Sequence, residues 1–451
     1  GASRMAAPGL YGELFADNAM SGLFDDRGTL QGMLDFEAAL ARDEASEGII
    51  PAAAAPVIAA HCRAEFFDIA EIGRQTTLAG NPAIPMVRML TARVATNDPE
   101  AARWVHWGAT SQDAIDTGRL IQMSGALRVI EERLATLAGL VARLAHDHRH
   151  TVMAGRTLLQ HALPTTFGLK AAYWLDSLTG HAGALTRLSP AAPLQLGGAA
   201  GTLASLGDKG SALQERMMGF ELAVPWHATR QALIRLGAEF GLIAGTLGKI
   251  GRDITLLMQT EVAEVFEGAA AGKGGSSTLP HKRNPVQSLA MSAIATRTPG
   301  LVATLLAAMP QEHERAAGGW HAEWETLPDL CVLTGASLTH AIALIEGLEI
   351  DTRRMRANLD LTGGLILSER IALALGDVMP RLEAKALVES ACARALAEKR
   401  PLRDILAEEP AITGHIDGAA LSRLFDPATY LGASQAVIER VLALYRLTFT
   451  P

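Results

Sequence analysis

The stretch Leu233–Leu257, LIRLGAEFGLIAGTLGKIGRDITLL, decides the fold class. Leu233, Leu236, Phe240, Ile243, Leu247, Ile250, Ile254 and Leu257 recur at alternating steps of three and four, which sets them in one stripe along a helix. At about 1.5 Å per residue the run is roughly 40 Å long, more than an ordinary globular helix. A second stripe, Leu127, Ile130, Leu134, Leu137, Val141 and Leu144, repeats the pattern. Long helices with one apolar face must bury it against one another, so the expected fold is all-α, a central bundle of long helices. No strong period-two alternation competes with it, which argues against a parallel-sheet nucleotide fold. Part of each stripe is expected to find its partner on other subunits, making the chain a homo-oligomer.

Working outward, the 451 residues suggest three helical domains: 1–104, then the bundle over 105–355, then a smaller domain over 356–451, after GLEIDTRRM. Hydrophobic residues make up 49% and charged residues 20%, enough for a large core. A net charge of −8 gives no general attraction for nucleic acid or anionic membranes, so neither is expected as a partner. An acidic chain that binds a small polyanion must gather a few cations and donors in one cleft. Cys62, Cys331 and Cys392 are odd in number and widely spaced, which fits neither a disulfide framework nor a zinc site and suggests the cytoplasm. No signal peptide is recognisable, and the apolar stretch Gly300–Met309 is short for a membrane span. The opening GASRMAAPG is set aside as processed or foreign sequence. His146, His148 and His150 alternate at the end of a helix, where their side chains diverge, so no metal is expected.

Gly, Pro and His cluster where the helical runs break, and these breaks hold the candidate chemistry. In AGKGGSSTLPHKRNP, closely spaced glycine, serine and proline make a mobile loop; Ser276, Ser277 and Thr278 offer hydroxyls, and Lys282, Arg283 and Asn284 can hold a carboxylate. Composition alone reads this equally well as a surface loop. The order of residues, GSSxxPxKxNP, resembles the signature of the fumarase/aspartase superfamily, which also contains argininosuccinate and adenylosuccinate lyases and bacterial 3-carboxy-cis,cis-muconate cycloisomerases. HWGATSQDAIDTG, His106–Gly118, is similar to that family's first region; GRTLLQHALPTTFG, Gly155–Gly168, to its second; LGGAAGT, Leu196–Thr202, to its glycine-rich turn. The likeness runs from about Tyr11 to the end.

The resemblance implies three helical domains, proton transfer at a carbon alpha to a carboxylate, and a homotetramer with active sites shared between subunits. It implies Ser276 as the group that moves the proton, with Lys282 as the cation beside it. Thr110, Ser111, Gln160 and Asn284 would bind substrate, together with Arg315 and His106; the last two read equally well as a solvated helix-end arginine and a structural histidine. The chain departs from the lyases in three places. Leu158 stands where they carry histidine in GxTHxQ, Leu289 stands where glutamate commonly follows NP by four residues, and Asn81 in AGNPAIP stands where adenylosuccinate lyases tend to have histidine.

An amine leaving group, pKa near ~10, needs a proton as it departs, whereas a carboxylate, near ~4, does not. The losses at Leu158 and Leu289 therefore point to a carboxylate closing a lactone on a double bond of a tricarboxylate, the chemistry of the cycloisomerase branch, with no cofactor. ERAAGGWHAEWETLPD, Glu314–Asp329, also resembles that branch; its Trp320 and Trp324 are expected to pack. His161, three residues past Leu158, is a substitute acid only if the segment is helical. An adenylosuccinate- or argininosuccinate-type elimination and a crystallin-like structural role are the alternatives.

Overall fold

The computed structural model describes residues 9–189 and 194–449; the start of the set-aside opening, residues 1–8, lies outside them. The principal elements are α1 (Asp26–Ser46), α2 (Ser111–Asp147), β1 (Val152–Thr157), β2 (Gln160–Thr166), α3 (Phe167–Leu188), α4 (Gln231–Leu257), β3 (Val265–Phe266), α5 (Val286–Ala307), α6 (Gly319–Glu346), β4 (Glu349–Ile350) and α7 (Arg381–Glu398). The protein is all-α, as its two apolar stripes require. The Leu233–Leu257 stripe lies in α4, and each of its eight members is at most 4% exposed. The other stripe lies in the 37-residue α2, buried from Leu127 to Val141 and half-buried at Leu144.

The chain divides into two compact units. The first comprises Gly1–Leu134, His181–Gly248 and Ala290–His340. Within it α1 and α2 cross backbone to backbone: a Cβ on Gly32 would lie 2.8 Å from the carbonyl oxygen of Gly118. Only paired glycines permit that approach. Around it Leu34, Phe36, Leu40, Met86, Leu90 and Val94 form a core that also takes in Leu196 and Leu213.

The second unit comprises Ala135–Gly180, Lys249–Leu289 and Ala341–Pro451. Ile371, Leu375, Leu402, Leu406 and Ile412 form a core of their own around α7. Two small antiparallel sheets, β1 with β2 and β3 with β4, interrupt the helices here. The β1–β2 hairpin was not foreseen from sequence. Thr157 faces Gln160, and the two-residue turn between them is Leu158–Leu159 with φ of 50° and 64°. Both leucines are exposed, at 96% and 73%.

Among the described residues two helices, α5 and α6, are long and apolar enough to cross a membrane by length and composition. In α6 72% of the most apolar window is buried, as in a core helix, against 28% in α5. The apolar run at Gly300 is thus the tail of a helix that starts at Val286 and has Arg297 midway.

Candidate active site

The first region of the family pattern opens α2 in the first unit. Asp113, the third residue of the helix, accepts from the backbone N–H of Thr110 at 3.0 Å, half of a capping box. The same carboxylate, fully buried, accepts from the N–H groups of Gly197 and Gly198 at 2.9 Å each and pairs with His227 Nε2 at 2.7 Å. One side chain thus ties the start of α2 to the turn LGGAAGT. Its place at the third helical position after a threonine is the capping signal in the sequence that points to it.

Arg315, just before α6, belongs to this group. Its Nη2 donates to Thr110 Oγ1 at 3.0 Å and to the Ala199 carbonyl at 3.3 Å, and its Nε to Gln112 Oε1 at 3.2 Å. It is a held guanidinium, not a solvated one at a helix end. Ser111 is the first residue of α2, half-buried beside Thr110. His106 has φ 58° and turns its Nδ1 onto Glu37 of α1 at 2.5 Å. Beneath them lies a buried ion group. Arg230 donates to Asp116 at 2.8 and 3.0 Å and to Glu323 at 3.0 and 2.6 Å, and Trp320 Nε1 donates to Asp116 at 3.0 Å. Burial pushes the Glu323 carboxyl up, the Arg230 contacts only partly opposing it; for Asp116 burial also pushes up, and Arg230, Gln195 and Trp320 together win and hold it low. Trp320 and Trp324 meet edge to face at 5.1 Å, which is packing.

In the second unit the loop Gly274–Pro285 is closed at its base: Asn284 donates its N–H to the Gly274 carbonyl at 2.7 Å. Gly274 has φ 65°, and a Cβ there would meet the Asn284 carbonyl oxygen at 2.5 Å, so the closure requires glycine. Inside the loop Ser276 Oγ accepts from the backbone N–H of Leu279 at 3.1 Å and of Thr278 at 3.3 Å. The Ser276 side chain is half-buried and that of Lys282 exposed. Arg283 is committed elsewhere, to Glu349 and to the Glu267 carbonyl. Glu267, buried, caps α5 by accepting from the N–H groups of Gln287 and Ser288 at 3.0 Å each. A cavity of about 120 Å³ lies under the loop between Glu267, Lys273 and Asn284.

Gln160 opens β2 at the hairpin tip and is exposed. His161 follows it on the strand opposite Arg156, which binds Glu264 at 3.0 Å. A strand does not stack residues three apart, so the helical face that would relate His161 to Leu158 does not exist. Burial and the charge of Arg156 both lower the His161 pKa, which Glu264 only partly offsets. His146 and His148 bond different neighbours, Asp147 and Thr151. Among the described residues no group of three or more His, Cys, Asp or Glu side chains is placed to hold a metal ion.

Residues 14–300 match the model of a family described as lyase, and residues 364–441 match one described as adenylosuccinate lyase C-terminus. A 3-carboxy-cis,cis-muconate cycloisomerase of Pseudomonas aeruginosa is 51% identical, over 100% of this chain and 99% of that protein. The crystal structure of a 3-carboxy-cis,cis-muconate lactonizing enzyme from Pseudomonas putida superposes with a TM-score of 0.93 at 48% identity, covering 97% of this chain and 99% of the other. A nitrosuccinate lyase of Streptomyces davaonensis is 40% identical, over 96% of this chain and 94% of that protein.

Proposed function

Because the chain belongs to the lyase family of the fumarase/aspartase superfamily, we infer that it is an enzyme that interconverts 3-carboxy-cis,cis-muconate and 4-carboxymuconolactone. The reaction is an isomerisation. The C6 carboxylate oxygen bonds to C3, the carbon that bears the 3-carboxylate, the C2–C3 double bond opens, and its electrons pass through C2 into the C1 carboxylate as an enediolate. A proton then joins the carbon alpha to that carboxylate. No group leaves and no electron is exchanged, so the scheme calls for neither metal nor organic cofactor.

The observation that carries this reading is a contrast. Ser276 of the family motif is present with two backbone N–H donors on its oxygen, while the positions that hold histidine and glutamate in the amine-releasing relatives are Leu158 and Leu289. We assign proton delivery to Ser276. Two backbone N–H groups on its oxygen stabilise the alkoxide left behind, and Lys282 supplies a cation in the same loop. Thr110, Ser111, Arg315, His106, Asn284 and Gln160 are the proposed donors to the three carboxylates; the guanidinium of Arg315, already fixed by Thr110 and Gln112, suits a bidentate grip. The proposal extends to the assembly and its compartment. A homotetramer with shared sites is supported by the apolar face that α5 leaves uncovered, and a cytoplasmic setting by three free thiols.

A second reading, elimination from a substituted succinate, is favoured by the likeness to the nitrosuccinate lyase. Nitrite, like a carboxylate, departs without a proton. Incubation with 3-carboxymuconate, followed by conjugated-diene absorbance, and in parallel with nitrosuccinate and adenylosuccinate, followed by fumarate, separates the readings. We expect rapid loss of diene absorbance and little fumarate; unchanged diene absorbance with folded protein overturns the first reading.

A further inference from the structure

The histidine of the first region has a partner that its own motif does not announce. Glu37 lies 69 residues earlier, on α1, and is 1% exposed. Its Oε1 meets His106 Nδ1 at 2.5 Å while its Oε2 has no hydrogen-bond partner. Seven residues further along the same helix Glu44 is also fully buried, and neither of its oxygens has a partner. Removing an unpaired carboxylate from water is so unfavourable that such a group takes up a proton instead. Burial, with a smaller contribution from Glu37, pushes Glu44 up to about 9, so at neutral pH it is an uncharged acid. Glu37 is then left with the His106 ring as the hydrogen-bond partner of its Oε1.

We propose that Glu37 is a positioning residue for the reaction: it anchors the Nδ1 side of His106 and so presents the opposite nitrogen, as the donor of a cationic ring, to a substrate carboxylate bound with Thr110 and Arg315. The proposal rests on the carboxylate-binding role given to the first region above. Geometry supports it in three ways. The φ of 58° at His106 bends the loop so that the ring reaches α1. The side chain is 15% exposed, and its described hydrogen bond is through Nδ1 alone. The Gly32–Gly118 crossing brings α1 close enough to the start of α2 for a glutamate one turn and a half later to reach the loop.

The charged and titratable groups around the pair agree. Glu37 and Asp113 face the ring; Glu44 and Cys62 face Glu37. Burial opposes the imidazolium, but the charge and hydrogen bond of Glu37 and the charge of Asp113 outweigh it, and His106 is held above its ordinary range. The Cys62 thiol is pushed up by burial first and then by Glu37 and Asp35, so it stays neutral.

The test uses the full chain with Glu37→Gln. With 3-carboxymuconate near neutral pH, KM should rise about tenfold while kcat changes by less than about threefold, the pattern of a lost charge-assisted contact to substrate. The alkaline limb of kcat/KM should move to lower pH, and Glu37→Asp should return part of the way. Ring-labelled histidine NMR, with the His106 signal identified by its loss in His106→Gln, should find His106 titrating at lower pH in the Gln variant. An unmoved titration and an unmoved alkaline limb in a folded Gln variant overturn the proposal. Should that variant not fold, the unmodified protein decides: a His106 that titrates at or below free histidine overturns it, and one that titrates above supports it. If 3-carboxymuconate is not turned over but Glu37→Gln still moves the His106 titration, the substrate assignment fails and the pairing stands.

Discussion

A serine with an ordinary hydroxyl is a poor carrier of protons, and what surrounds Ser276 decides whether it is anything more. The oxygen has two backbone N–H donors within its own loop, so removing it leaves those donors without a partner but disturbs no packing. Ser276→Ala should therefore reduce turnover of 3-carboxymuconate by at least ~10³-fold with an unchanged melting temperature; near-normal turnover would remove the serine from the proton step. Glu44 gives a prediction of a different kind. Its pKa is raised in the folded protein, to about 9, so the folded state binds a proton that the unfolded chain has already released above its own, lower pKa. The stability that Glu44 contributes is complete below that lower value and is lost as pH rises through about 9. Glu44→Gln should flatten the fall in melting temperature between neutral pH and 9.5, while activity stays near wild type. Equal slopes in the two proteins would contradict a buried neutral acid. Ser276, Thr110 and Arg315 were open to nomination from sequence because each belongs to a contiguous motif. Glu37 was not: in one dimension it is one acidic residue among several on a helix, and its partner is 69 positions away.

Among the elements, legibility followed length. The stripes of α2 and α4 repeat often enough for the helical period to stand out, and burial follows them nearly residue by residue. The β1–β2 hairpin was hidden for the opposite reason. Its strands are six and seven residues long, their burial does not alternate cleanly, and its turn is two leucines where asparagine and glycine would have announced it. The α1–α2 crossing was equally silent, because isolated glycines within helices have no period. It nevertheless sets the spacing on which the Glu37–His106 contact depends. Gly32→Ala places a methyl 2.8 Å from a backbone oxygen that belongs to another helix. We expect a loss of about 1–3 kcal/mol in stability, read by urea unfolding, together with a rise in KM larger than that of a surface control such as Gly73→Ala, whose Cβ would meet nothing. Equal effects at the two glycines would mean that the crossing does not set the geometry.

At the scale of the whole molecule, the half-covered α5 is the feature a single chain does not explain. An apolar helix of 22 residues with 28% of its most apolar window buried either meets other copies or lies against lipid. Arg297 midway along it, within 3.9 Å of Asp329 of α6, suits a protein partner better. Light scattering at micromolar concentration should give about four times the 47.6 kDa chain mass, and Ala303→Glu with Leu306→Glu, on exposed positions of α5, should lower it. A monomer of full activity would separate function from assembly. The hairpin tip, finally, matters to anyone who would engineer this protein. Leu158 and Leu159 sit in left-handed backbone that disfavours them by roughly 1–2 kcal/mol each, and both present bare hydrocarbon to water. A consensus-minded redesign would begin by writing Asn-Gly there, and by folding criteria it would be right. The family pattern sets Leu158 where elimination enzymes keep an acid, so the thermostable variant and the working one are expected to part company at this turn: a higher melting temperature and a slower lactonisation in the same molecule.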